Sequence, residues 1–302
     1  MNTNNYFSFS RLGLVMKRDF VENWKTNLYV FLGIFLAFLS VYLFNMLEYE
    51  SRPSKGITFY VFDHAEGFMV IFIFLLLYFA SITTNNMRTK EARIAYLMLP
   101  ATSLEKFVSR VLYATVGVFV MILGASLLAE AVHWAFMPFF DEMPDKFKVC
   151  VWPEVWGKIW NAINPFQTKN VYLNVSVGSD PSTWQHVEKR QFFIYLMGYA
   201  AFLWKHSIFV LGGNYFGKHP FLKTIGTMIL VAILIAWPCT YIDWDDLKWI
   251  YDFLEDNKYW LTEDIVAGFV SFIFFAFTIF NWWLSYKLFT RQQVIKPKFR
   301  LL

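Results

Sequence analysis

The chain has 302 residues, of which 57% are hydrophobic, 21% aromatic and only 17% charged, with a formal net charge of +4 and a mean hydropathy of +0.39. Soluble domains are about 45–50% apolar and about 25% charged, so 35 Phe and 13 Trp have no place on a water-facing surface. This excludes a soluble enzyme, a coiled coil, a disordered chain and, with Cys150 and Cys239 the only cysteines, a disulfide scaffold. The composition predicts an all-α, polytopic integral membrane protein.

The first apolar run begins near Leu28, has full spanning length and lacks a small-residue cleavage site, so Met1–Lys25 is expected to stay as a tail rather than leave as a signal peptide. Within it Leu12, Val15, Met16, Phe20 and Trp24 recur at helical spacing, with Arg11, Lys17 and Arg18 off the stripe. The spacing predicts an N-terminal amphipathic connector helix lying on the inner membrane surface.

A bilayer core of about 30 Å needs ~20 apolar residues in a helix. The runs with few or no charges predict six transmembrane helices at about 27–47, 67–86, 108–129, 192–216, 224–242 and 265–286, forming a single transmembrane domain over 1–302. Helices are expected because backbone groups in lipid must be satisfied internally and no barrel-like alternation occurs. With the N-terminus inside, segments 1–25, 88–110, 218–223 and 287–302 hold sixteen Lys/Arg against four Asp/Glu. The outer segments 48–66, 130–190 and 243–264 hold ten against nineteen. Basic loops stay inside, which predicts cytoplasmic N- and C-termini and a location in the cytoplasmic (inner) membrane.

Between spans two and three, loop 87–107 is built largely of helix formers and carries Ile94, Leu97 and Met98 on one side. Pro100 disfavours helix at the residue before it, and Thr102-x-x-Glu105 is a capping-box pattern that starts the next helix. A stiff, basic helical hairpin facing the cytoplasm is predicted: either a plain joint between two spans or a docking element for a cytosolic partner. In the large outer loop 130–190, Trp152, Val155, Trp156, Ile159, Trp160 and Ile163 predict an aromatic interfacial helix, and Val171–Val177 a short strand. The outer segment 243–264 predicts an acidic surface helix from Leu247, Ile250, Tyr251 and Leu254.

Arg88–Arg110, with Glu91, the run Leu97-Met98-Leu99-Pro100 and Glu105-Lys106 leading into span three, resembles the cytoplasmic loop of the membrane subunits of type-2 ATP-binding-cassette (ABC) exporters. The connector helix, six spans and inward termini are similar to that family along the whole chain. The sequence departs from it where Arg93-Ile94-Ala95 replaces the usual Gly-Thr, and in its longer outer loop after span three. The resemblance implies the permease half of an exporter of an amphipathic or lipid-like substrate, with membrane lipids around a homodimer or heterodimer of permeases. It implies two cytosolic ABC ATPase subunits as partners, with ATP and Mg bound by them, no cofactor in this chain and no nucleic acid. It also implies a coupling loop in which Arg88, Lys90, Glu91, Arg93, Tyr96, Leu97, Met98, Leu99, Pro100 and Glu105 meet the ATPase.

No catalytic set accompanies this. Gly212 to His219 has the glycine and lysine spacing of a P-loop, but His219 stands where Ser or Thr would hold Mg, and no strand precedes it. A tight inner turn with Pro220 opening the next helix is expected instead. Glu130 and His133 form an i, i+3 pair at the outer end of span three, read as hydrogen-bonded at the interface rather than metal-binding. Asp63, His64 and Glu66 cluster at the outer mouth of span two, for a metal, a headgroup or solvent. Lys205 with His206 is the polar feature inside a span: it either faces a substrate path with Asn281 or snorkels to the surface. The alternatives to an exporter are a membrane enzyme acting on lipid-linked substrates through Asp63, His64, Glu66, Glu130 and His133, and a non-transporting scaffold or sensor.

Overall fold

The computed structural model of the protein describes residues 6–51, 57–83, 87, 89–136, 153, 156–157, 160–161, 164, 166, 168–174, 184–190, 192–241, 248, 252 and 263–291. In chain order the elements are α1 Phe9–Glu22, α2 Trp24–Ser51, α3 Ile57–Ser81, α4 Lys90–Leu97, α5 Ser103–Leu112, α6 Val118–Phe136, β1 Thr168–Asn174, β2 Trp184–Arg190, α7 Phe192–Tyr215, α8 Pro220–Cys239 and α9 Glu263–Thr290. A π-helical segment, Tyr113–Gly117, joins α5 to α6 without a break.

Among the described residues five helices are long and apolar enough to cross a membrane: Trp24–Phe44, Ser103–Phe136, Phe192–Tyr215, Pro220–Pro238 and Asp264–Thr290. This is the architecture of a multi-pass membrane protein. The apolar segment Gly67–Ser81 of α3 accompanies them. The helix Ser103–Phe136 has 34 residues; at about 1.5 Å per residue it exceeds a ~30 Å hydrocarbon core by several turns.

The chain forms two compact units. In the first (Met1–Trp156, His206–Gly226 and Asn281–Leu302), the core lies along α2 and α6. Val118, Ile122, Ala125 and Ala129 repeat at i, i+4, i+7 and i+11 and are at most 1% exposed. They share the pairing with Ile34, Phe38 and Tyr42, buried on α2. Small side chains here let the two backbones approach, which drives helix pairing in lipid. Phe38 stacks on Phe68 of α3 at 5.0 Å, and Phe72 of α3 meets Phe119 edge-on at 5.4 Å. Phe107 of α5 lies against Tyr286 and Phe289 of α9.

Two polar rungs join α7 to α9 in this unit. Asn281 Nδ2 donates to Ser207 Oγ at 3.0 Å and Asn214 Nδ2 to Ser285 Oγ at 2.7 Å. Residue numbers rise together along both rungs, so the two helices run in the same direction. Gly212 and Gly213, which have P-loop-like spacing in the sequence, lie inside α7. A Cβ on Gly213 would run into the Ser81 carbonyl, and one on Gly212 into Thr224. The expected turn follows, with His219 in the left-handed region at φ 50° and Pro220 opening α8.

The second unit comprises Gly157–Lys205 and Thr227–Phe280. Its antiparallel hairpin pairs Thr168 with Arg190 through Asn174 with Trp184. The strand expected at Val171–Val177 thus exists three residues earlier, with a partner that the sequence reading did not include. In the same unit Trp204 stacks on Phe274 at 5.1 Å, and Gly268 admits the Phe193 ring. Pro238 sits in the last turn of α8, which ends at Cys239. The aromatic helix expected over 152–163 and the acidic helix of 243–264 fall largely outside the described residues.

The Gly213 contact yields a stability prediction. Gly213→Ala is expected to destabilise the protein by about 1–3 kcal/mol through overpacking against backbone, whereas Gly198→Ala on the same helix, where nothing lies within 4 Å of the added methyl, should be neutral. Thermal unfolding of the two variants in detergent, side by side, checks this.

Candidate functional site

The predicted hairpin is present. Thr89 caps α4, its hydroxyl accepting from Ala92 N–H at 3.2 Å, and α4 ends at Leu97 ahead of Pro100. Thr102 and Glu105 make the reciprocal capping box that opens α5, with Glu105 N–H donating to Thr102 Oγ1 at 3.2 Å and Thr102 N–H to Glu105 Oε2 at 2.8 Å. Side chains brace the turn from within. Tyr96 O–H donates to the Lys106 carbonyl at 3.0 Å, Lys106 Nζ to the Leu97 carbonyl at 2.7 Å, and Arg93 Nε to the Met87 carbonyl at 3.2 Å. Burial raises the Tyr96 hydroxyl to about 12, so it remains a donor.

Helix α1 is fastened to this hairpin. The fully buried Glu105 also receives Ser8 N–H at 2.7 Å and Arg11 Nε and Nη2 at 3.1 and 2.9 Å, while Arg11 donates again to the Tyr6 carbonyl. Farther along, Asp19 (2% exposed) faces Arg110, Oδ2 to Nε at 3.5 Å, and receives Ser109 O–H. Arg110 lies 4.2 Å over the Tyr96 ring. Buried positions on α1 are therefore Leu12, Val15 and Asp19. Phe20 and Trp24, on the apolar stripe expected to lie on the membrane surface, are 60% and 54% exposed. Asp19, off that stripe, is turned inward because Arg110 presents a charge that needs a carboxylate.

Outward-facing residues define what the hairpin offers. Met98 is 79% exposed, Ile94 and Pro100 are exposed, and Glu91 is solvated. Leu97 and Leu99 are half-buried. Between α1 and the turn, Arg11, Leu14, Val15, Arg18, Leu99, Pro100 and Ala101 line a cleft of about 190 Å³. Arg88 and the Lys90 side chain lie outside the described residues. No family model, no curated protein and no solved structure matches the chain.

The remaining candidates separate. His206 is buried, Lys205 next to it is exposed, and Asn281 is taken up by Ser207. Glu130 and His133 do come together, joined by Tyr42, which was not among the candidates. Its hydroxyl donates to Glu130 Oε2 at 3.0 Å and its ring stacks on His133 at 4.8 Å. Asp63, His64 and Glu66 lie on the helical backbone of α3 rather than in a loop; their side chains are outside the described residues. Among the described residues no three His, Cys, Asp or Glu side chains could share a metal ion.

Arg110 and Asp19 were not singled out as a pair, and the spacing on α1 alone carried no signal for it. Removing one partner of a buried pair strands the other, whereas removing both is often neutral. Arg110→Met should therefore cost about 3–5 kcal/mol, and the double change Asp19→Leu with Arg110→Met should recover most of it, read by thermal unfolding in detergent.

Burial pushes the Asp19 carboxyl above its ordinary range, an effect that the attraction of Arg110 and Arg18 only partly offsets. A carboxyl raised on folding adds stability when protonated. Relative to Asp19→Asn, the wild type should be most stable below about pH 3.9 and lose that advantage as pH rises through the raised folded-state value. Paired melting curves of the two proteins across pH check the sign.

Proposed function

We propose that the chain is the membrane-spanning permease subunit of an ATP-driven exporter of the type-2 ABC kind, moving an amphipathic or lipid-like substrate while separate cytosolic subunits bind Mg and hydrolyse ATP. The observation that carries this reading is mechanical. A hairpin with an exposed apolar tip is braced from within, fastened to α1, and continuous through α5 with a bundle helix. A protein that only needed to join two spans has no use for such stiffness. One that receives a push from a soluble motor does, because a packed element passes displacement on as a rigid body.

In this reading α3, 25 residues long, is the sixth span, and the basic segments put both termini and the hairpin in the cytoplasm. The parallel course of α7 and α9 fits one inward-leading span, a return through α8 and a second inward-leading span. Two permease chains, identical or not, enclose the substrate path, and ATP-driven closure of two ATPase subunits moves α4–α5 and with it α6.

The test is purification of the tagged chain from its own membranes in mild detergent, with mass spectrometry of what accompanies it. A stoichiometric ATPase in an assembly of two permeases and two ATPases is expected. Ile94→Glu with Met98→Glu, both at exposed positions, should release the ATPase while the chain keeps its melting temperature. A wild-type chain that purifies without any ATPase under every nucleotide condition overturns the reading.

A further inference from the structure

A second cavity, of about 110 Å³, lies in the first unit between the start of α2, the end of α3 and the π segment. That is the room of roughly three to four water molecules. Its wall is divided by polarity. One side carries Thr26, Asn27 and Arg110; the other carries Val30, Phe79 and Met121.

The polar side offers donors that the protein does not use. Asn27 Oδ1 accepts the Tyr113 hydroxyl at 2.5 Å, which fixes the amide so that its N–H₂ faces elsewhere, and Nδ2 is buried without a hydrogen-bond partner. Arg110 is 7% exposed, and its Nε likewise makes no hydrogen bond, Asp19 standing 3.5 Å away. Buried donors left unmet are costly, so a ligand rich in acceptors is what this wall lacks. The charged groups around it are Arg110 on α5 with Asp19, Arg18 and Glu22 on α1; Arg18 is paired with Glu22 at 2.5 Å, and of the four only Arg110 lines the cavity. Asn23, Thr26 and Asn27 also lie at the N-terminal end of α2, where the backbone dipole favours an anion. A π segment alongside, held open by Thr115 O–H donating to the Val111 and Leu112 carbonyls, is a feature that recurs at functional sites.

We infer that this cavity binds the phosphate of an anionic amphipathic molecule, the phosphate between Asn27 and Arg110 and the carbons next to it against Val30, Phe79 and Met121, with the rest of the molecule outside. The phosphate diester of an anionic phospholipid matches both walls; free inorganic phosphate matches only the polar one. The site is independent of whether the chain exports anything: it belongs to the end of the bundle that carries α1 and the hairpin.

The experiment is native mass spectrometry of the full chain in mild detergent, titrated separately with phosphatidylglycerol, phosphatidylcholine and inorganic phosphate. One phosphatidylglycerol per chain should be retained about tenfold more tightly than phosphatidylcholine. Asn27→Asp keeps the acceptor for Tyr113 and sets a negative charge in place of the free donors. It should remove that preference without lowering the melting temperature. One inorganic phosphate bound, with no lipid preference, upholds the anion site and assigns it to the free ion. Equal retention of the two lipids with no bound phosphate overturns the proposal, and needs no variant; so does an Asn27→Asp protein that still prefers phosphatidylglycerol.

Discussion

A carboxylate with no exposed surface survives in a protein only when donors surround it, and the arrangement of α1, α4 and α5 follows from how Glu105 meets that demand. Its two oxygens receive Thr102 N–H, Ser8 N–H and two nitrogens of Arg11. The first of these is the capping box, which sets where α5 starts. The others come from the beginning of α1, which sets where that helix lies. One side chain thus fixes the start of the helix leading into the bundle and the position of the amphipathic helix beside it. Glutamine would keep the size and lose the charge that makes all four bonds strong.

The second fastening, Asp19 to Arg110, is of a different kind. Its partners stand 3.5 Å apart and are both nearly inaccessible, so desolvation consumes much of what the attraction supplies. Such a pair is weak as a source of stability and strong as a determinant of register, because α1 cannot rotate without stranding a charge. The Tyr96 ring beneath Arg110 adds a contact from the hairpin. Three elements therefore converge on one guanidinium at the level where α5 passes into the π segment.

How much of this was legible depended on whether the cause was local. The capping box, the end of α4 before Pro100 and the opening of α8 at Pro220 are decided by residues within one turn, and they are found where the sequence puts them. The inward turn of Asp19 was not legible, because its cause is Arg110, which lies on another helix far along the chain. Strand β2, Trp184–Arg190, has little apolar alternation of its own and exists through its register with β1. The glycines of α7 were weighed as a phosphate loop, because spacing cannot reveal that their missing side chains make room for Ser81 and Thr224. The polar cavity is least legible of all, since Asn27, Phe79 and Arg110 come from three separate elements.

The abundance of phenylalanine that marks this chain as a membrane protein says little about how its helices pair. Against lipid tails, burying one more aromatic ring gains no hydrophobic free energy, so association rests on close packing and on the few interhelical hydrogen bonds. Those features are sparse and placed where selectivity is needed. Alanines line the α6 face toward α2, paired glycines let α7 approach α3 and α8, and two Asn–Ser rungs set α7 against α9. Each rung contributes only about 0.6 kcal/mol on average, too little to hold the unit together. A slip of α7 along α9 would nevertheless break both and leave Asn214 and Asn281 seeking partners in an apolar interior, so alternative registers lose more than the native one gains. Aromatic surface makes the chain membrane-soluble; small and amide side chains make its bundle unique.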